Sequence, residues 1–267
     1  MVGNQSLERG LAILNLLGTS DAELGIRDIA RALSLSPTIV QRLVNTLHAN
    51  GFVAQSSDTK RYRLGYRAIV LGSTMRREDR LLSAVTRELA ELADKHHLNG
   101  YLGVLRDGSG MYLESIQSSG PISVRILPGS RINMHSTAIG KMLLSTLPDV
   151  EVHRVLGAEP LTRYTARTRQ TIAEILDDLA TSRREGYATV YGENIEGVAS
   201  AATLIRDARG EPVASISVAL LFRENEQREM ATAVRLVRQA AYRCSQSIGY
   251  AGPAPELTTD SALQEAR

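Results

Sequence analysis

The 267-residue chain holds a single cysteine, Cys244. One thiol makes neither an internal disulfide nor a zinc–thiolate cluster, so the cysteine usage points to a reducing compartment. No stretch approaches the roughly 18–20 consecutive apolar residues of a membrane span, and the N-terminal residues show neither a leader core nor a cleavage signal. A cytoplasmic setting is therefore expected. Assembled catalytic signatures are also missing: there is no Gly-x-Ser-x-Gly, no His-Glu-x-x-His, no cysteine pair and no phosphate-binding glycine loop. Of the histidines His48, His96, His97, His135 and His153, the adjacent His96 and His97 do not share a helix face, so a metal pair there is not expected. The expectation is a non-enzyme without metal or cofactor.

What is present begins in the first eighty residues. Ile26, Ile29, Ala30 and Leu33 fall at i, i+3, i+4 and i+7, one apolar helical stripe. After a break at Ser34-Leu35-Ser36, Val40, Leu43, Val44 and Leu47 repeat the pattern, and Leu7, Leu11, Leu14 and Leu17 supply an earlier stripe. Three short amphipathic helices bury their stripes against one another as a small tri-helical core. Ser36 is a good N-cap, Pro37 suits the first turn, and Gly51 is a C-terminal stop. Off the apolar stripe of the second helix of the pair lie Thr38, Ile39, Gln41, Arg42 and Asn45. Glutamine and arginine have the donor and acceptor geometry for base edges and phosphates. Ile39 is compatible with contact to a thymine methyl or with an inward position.

Phe52-Val53-Ala54 and Tyr62-Arg63-Leu64 then flank the polar turn Ser56 to Lys60, with Lys60, Arg61 and Arg63 at or near its tip. Alone, such a charge run is as readily a solvated turn. After a helix-turn-helix it reads as a wing, and the whole as a winged helix-turn-helix for duplex DNA. Residues 1–80 hold eleven basic and seven acidic side chains, an excess of +4 in a chain whose total is +2, leaving −2 for the rest. The basic excess sits in the reader, where phosphate attraction needs it; its small size favours binding as a dimer.

At this length two domains are expected. Tyr66 to Met75 reads as a linker helix, Arg76 to Arg80 as a charged hinge, and Leu81 to His96 as a helix with Leu82, Val85, Leu89, Leu92 and Ala93 at helical spacing. Such apolar surface pairs with a second copy or packs on its own domains. Beyond it come strands at 99–105, 111–116 and 122–127, helices at 137–147 and 171–184, strands at 187–191, 198–205 and 213–221, and a final helix at 226–248. The fold class is α+β with an antiparallel sheet flanked by helices. The boundaries expected are 1–65 for the DNA-binding domain, 66–80 for the linker helix, 81–250 for the second domain and 251–267 for a disordered tail. Cys244 reads as a core residue of the last helix.

The opening QSLERGLAILNLL, the segment SPTIVQRLVNTLHANGFV, the motif INMHSTAIGKMLLS, and the strand segments REGYATVYGENIEGVASAA and GEPVASISVALL together resemble the IclR (isocitrate lyase regulator) family of bacterial transcription factors. The resemblance spans residues 5–250 and rests on several motifs in order. It implies a GAF-like C-terminal domain that binds a small organic acid, and a dimer or dimer of dimers on an operator. It also implies that the pocket includes Met134, His135 and Thr137, the amides of Ala138 and Ile139, and the strand residues Val190, Ser200, Ser217 and Ala219. A helix N-terminus is a ready anion site.

Two of those positions depart from the family pattern. Val190 stands where an acid is usual, and Ala219 where a serine is. A pocket short of a carboxylate and a hydroxyl suits a larger ligand with an apolar body, such as an aromatic acid, and holds an anion more easily. The alternative is a DNA-binding regulator whose C-terminal domain only assembles oligomers. Effector identity, the sign of regulation, the operator and dimer versus tetramer are not written in these residues.

Overall fold

The computed structural model describes residues 4–118, 124–221 and 226–255, in two compact units divided between Asp79 and Arg80. The first unit contains α1 (Gln5–Thr19), α2 (Ile26–Leu33), α3 (Pro37–Ala49), β1 (Val53–Gln55), β2 (Tyr62–Leu64) and α4 (Tyr66–Glu78). Asn4 starts α1 by accepting the Ser6 and Leu7 amides at 3.1 and 3.2 Å. Asp28, in the first turn of α2, accepts the Gly25 amide at 3.1 Å. Ser34 then adopts a left-handed conformation (φ 54°), which turns the chain into α3. Ile13, Leu17, Ile29, Val40, Val44, Val53 and Tyr62 close the core. Leu7 and Leu11, expected in it, are 61% and 52% exposed. The face that α1 buries runs through Gly10, Ile13 and Leu17, and the two leucines fall beside it.

The expected hinge at 76–80 is narrower than its charge run. Helix α4 continues through Arg76 and Arg77, and only Asp79 leaves helical geometry. No residue of α4 is buried, and Tyr66, Ile69, Val70, Leu71 and Met75 are exposed.

The second unit contains α5 (Arg80–His96), β3 (Asn99–Arg106), β4 (Ser109–Ile116), α6 (Ala138–Ser145), α7 (Asp149–Leu156), α8 (Ile172–Glu185), β5 (Tyr187–Tyr191), β6 (Val198–Arg206), β7 (Pro212–Leu221) and α9 (Glu226–Ser247). The five strands form one antiparallel sheet in the order β4-β3-β7-β6-β5. Alternation of side chains across it makes two cores. On one face Leu102, Ile205, Ile216 and Val218 pack on Val85, Leu89 and Leu92 of α5 and Val237 and Cys244 of α9. On the other, Tyr101, Val190, Ala202 and Ala219 pack on α6 and α8. The apolar stripe of α5 is thus spent within its own unit. Arg243 ties α9 to α5 through the buried Glu88 at 2.6 Å, an ion pair that raises the arginine's pKa.

Val124 to Leu127 is an irregular connection rather than part of a strand; residues 122 and 123 of the expected strand lie outside the described residues. The β4 edge is closed instead by the turn before Ile132, whose amide bonds to Gly110 O. Helix α7 is not legible in the sequence, because its stripe is a single turn: Val152 is buried and Val155 and Leu156 are half-buried against the same core. Of the expected tail, 256–267 likewise lies outside the described residues. Among the described residues no helix is long and apolar enough to cross a membrane.

Candidate nucleic-acid interface and ligand cavity

Helix α3 opens at Ser36, whose hydroxyl accepts the Ile39 amide at 3.4 Å, with Pro37 at the first helical position. Val40 and Val44 are buried, and Thr38, Gln41, Arg42 and Asn45 are exposed on the opposite side. Gln41 Nε2 donates to Asn45 Oδ1 at 2.9 Å, which aligns two polar side chains one helical turn apart. Ile39 is half-buried at the margin of the core.

The hairpin pairs Val53 with Leu64 and Gln55 with Tyr62, and Leu24 adds a bridge to Tyr62. The three basic residues of the wing are not equivalent. Lys60 is exposed at the turn with a left-handed backbone (φ 57°). Arg61 folds back, giving its Nε to Glu23 O at 2.8 Å and its Nη2 to Asp28 Oδ2 at 2.6 Å. Arg63 lies 3.6 Å from Glu23. Glu23, which the sequence pattern did not single out, therefore anchors the wing to the loop before α2. Among the described residues Arg42 and Lys60 have no carboxylate within ion-pair distance, which leaves both charges for phosphate or base edges.

The second unit holds a small cavity, about 40 Å³, between the sheet and α6. The register builds its floor. Val190 pairs with Ser200, Ser200 with Ala219, and Ser217 with both Ala202 and Tyr101, so these side chains lie in adjacent rows on one face. Thr137, Ala138 and Ile139 form the wall at the start of α6. The Thr137 hydroxyl caps that helix by accepting the Gly140 amide at 3.1 Å. The Ala138 and Ile139 amides, as first-turn donors, have no acceptor within the helix. Gly140 makes the approach possible: a Cβ there would stand 2.4 Å from Met134 O.

Tyr101, Tyr112, Val124, Ile126, Asn194, Ile195 and Val198 complete the lining, and no charged side chain is among them. Burial raises both tyrosine pKa values, that of Tyr112 to about 12, so both phenols stay protonated. Tyr101 donates to Val124 O at 2.7 Å, and the two rings meet edge to face at 5.9 Å. Thus seven of the nine residues expected at a pocket converge. Met134 and His135 do not line this cavity. They line a separate recess with Leu156 of α7 and Tyr164, where His135 Nε2 lies 2.9 Å from Thr162 O and its ring stacks on Tyr164 at 5.7 Å. Burial lowers the His135 pKa, against the pull of the Thr162 carbonyl.

Behind the cavity sits a group that sequence reading missed. Lys141 is 2% exposed, and its Nζ lies 2.7 Å from Asp178 Oδ2 and 2.7 Å from Glu193 Oε2. Burial pushes the Glu193 carboxyl above its ordinary range, the lysine opposing it. Glu193 is followed by Asn194, whose Oδ1 accepts from Ser136 Oγ at 3.0 Å and Asn133 Nδ2 at 2.8 Å. Thr165 and Thr168 donate to the carbonyls of Gly192 and Glu193 at 2.7 and 2.6 Å. The loop that carries Asn194 and Ile195 into the cavity is therefore pinned from behind.

A winged helix-turn-helix with Arg42 on its exposed helix face and Lys60 on its wing, in one chain with a cavity-bearing α+β unit, defines a DNA-binding transcriptional regulator. Two family models match the chain: the IclR helix-turn-helix domain over residues 6–57, and the bacterial transcriptional regulator IclR C-terminal model over residues 75–246. The chain belongs to the IclR family of bacterial transcriptional regulators. It is 29% identical to the HTH-type transcriptional regulator XynR of Escherichia coli over 92% of this chain and 98% of that one. It is 32% identical to the glycerol operon regulatory protein of Streptomyces coelicolor over 90% and 95%. Its fold is shared with an IclR homolog from Microbacterium hydrocarbonoxydans crystallised with 4-hydroxybenzoate, at a TM-score of 0.80 and 22% identity, covering 91% of this chain and 99% of that one. Relatives of this kind are named as regulators and repressors, and the chain is a regulator rather than an enzyme.

Proposed function

We propose that the chain is a ligand-responsive regulator in which residues 1–65 read an operator, 66–80 link, and 81–250 sense a small organic acid with an aromatic or partly apolar body. The observation that carries this reading is the cavity at the start of α6. It offers first-turn amides for a carboxylate and, in place of acidic or basic groups, a floor and walls that are mostly apolar or aromatic. A helix N-terminus favours an anion, and an uncharged lining adds no repulsion. Val190 and Ala219 widen and dry the floor where an acid and a serine would have made it polar.

The apolar side chains that α4 leaves in solvent, with Leu7 and Leu11 of α1, support pairing of two chains into a homodimer, and a dimer of dimers is a further step of the same kind. Effector binding then favours one spacing of the two α3 helices, and by linkage DNA and effector change each other's affinity by the same factor. A regulator that acts on chromosomal operators works in the cytoplasm.

The test is a thermal-shift screen of the full chain against 4-hydroxybenzoate, benzoate, glyoxylate and pyruvate. An effector at a hundred times its Kd adds about 2.7 kcal/mol, which is several degrees in Tm for a unit of this size. The expected result is stabilisation by the aromatic acids, reduced at least tenfold in affinity by Val190→Asp. Better binding of glyoxylate or pyruvate sinks the aromatic assignment. No shift by any acid, with operator binding intact, favours the alternative in which the second unit serves assembly alone.

A further inference from the structure

We infer that the second unit carries another small-molecule site, at the far end of α6 from the first cavity, which takes a compound bearing a phosphate or similar oxyanion. Its walls are the C-terminal end of α6, the end of α8, the ends of β6 and β7, and α9, and they enclose about 380 Å³. The two linings share no residue, so they are distinct chambers.

The chemistry of this chamber is opposite to that of the first. Arg183, Arg206 and Arg238 all line it, and no aspartate or glutamate does. Three guanidinium groups therefore gather on one cavity in a chain whose net charge is only +2. Arg183 is already occupied: it donates to Ser145 O, Leu147 O and Asp149 Oδ1 at 3.0, 2.8 and 2.9 Å. By neutralising the carbonyl end of α6 it removes the partial negative charge that would repel an anion there. The other two are available. Arg206 gives one N–H, from Nη1, to Gly210 O at 2.9 Å, and Arg238 rests over the Tyr187 ring at 5.6 Å. Among the described residues neither has a carboxylate within ion-pair distance.

Guanidinium groups without a counter-ion on a concave wall are the arrangement that binds phosphate oxygens in pairs. Tyr242 and Tyr250, edge to face at 6.3 Å, line the same chamber and offer an aromatic surface for the body of the ligand. Tyr242 also donates to Gly252 O at 3.3 Å, which holds the residues that follow α9 against the opening. This site does not depend on the effector reading of the first cavity.

The probe is phenyl phosphate, with phenol as the uncharged control, followed by saturation-transfer NMR and calorimetry on the full chain at 150 mM salt. Binding of phenyl phosphate and not phenol is expected. Arg238→Gln, which breaks only a ring contact, should weaken it at least tenfold without lowering Tm; Arg206→Gln should weaken binding as much, with a small fall in Tm from the lost bond to Gly210 O. A chain ending at Pro255 should bind as the full chain does. Four results would overturn the site: no binding of phenyl phosphate by the full chain; affinity within twofold of wild type in Arg238→Gln; displacement by 4-hydroxybenzoate, which would make the two chambers one; or displacement by duplex DNA, which would assign the arginines to nucleic acid. Binding seen only after removal of residues 256–267 would also overturn it, by showing that the chain's own acidic end fills the chamber.

Discussion

Lys141→Met should lower the unfolding free energy of the second unit by about 3–5 kcal/mol at neutral pH, the usual cost of removing one partner from a buried ion pair. The lysine is 2% exposed and the Glu193 residue 8%, so the carboxylate left behind has little water to turn to. Asp178, with a side chain 28% exposed and Arg169 at 3.6 Å, keeps other company and loses less. The double variant Lys141→Met, Glu193→Gln should recover much of the loss, since an uncharged pair asks for no counter-charge. The deficit also has a pH signature. Glu193 already titrates above its ordinary value of 4.5, and removing the lysine that opposes this shift raises it further. A carboxyl whose folded pKa exceeds its unfolded one takes up a proton on folding, so its cost appears as pH rises through that window. The difference between wild type and variant should thus be smallest near the ordinary carboxyl pKa and grow toward neutrality. Urea unfolding at several pH values measures it, and a loss below about 1 kcal/mol at pH 7 would show that Glu193 swings out to solvent instead.

Arg42→Ala should be the largest single loss in operator binding. A side chain reading a base edge contributes about 1–3 kcal/mol. In the proposed dimer each operator meets two copies, so the expected loss is about 2–6 kcal/mol, with relaxed discrimination among sites. Lys60→Ala should behave differently, weakening every duplex alike and lowering the salt slope by about one per protomer. Gel-shift titration on specific and scrambled duplexes over a salt series separates the two. Equal, sequence-independent losses for both would move Arg42 from base edge to phosphate. Arg61→Ala is the informative control: that side chain is bound to Asp28 and to Glu23 O, so its removal should loosen the wing rather than delete a phosphate contact.

The helices of the reader were legible because a period of 3.6 is written by its core positions: Ile29, Ala30, Val40 and Val44 stand where their spacing put them. Leu7 and Leu11 show the limit of that reading. A stripe says which residues share a face, not which of two apolar faces the fold will cover. The cavity floor was legible through the family pattern, because strand register carries Val190, Ser200 and Ala219 into one row. His135 and Met134 belong to the same family motif as the pocket residues, but the turn before α6 places them in the separate recess with Tyr164. Lys141 did carry a signal. In Ala138 to Leu144 every residue is buried, so the helix has no polar face on which a lysine might rest, and a buried lysine demands acids. Those acids lie 37 and 52 residues away, which no local pattern reveals.

Cys244 is wholly buried in α9 and its thiol is pushed up to about 12, so it offers almost no thiolate to a labelling reagent. The chain also contains no tryptophan. The natural protein therefore presents no reactive thiol and no indole to compete with an introduced probe. A cysteine introduced at Arg76 on the solvent-facing α4 would carry the sole spin label of each protomer, with no background to remove. Pulsed dipolar distances between two such labels would then follow the separation of the α4 helices directly, with and without DNA.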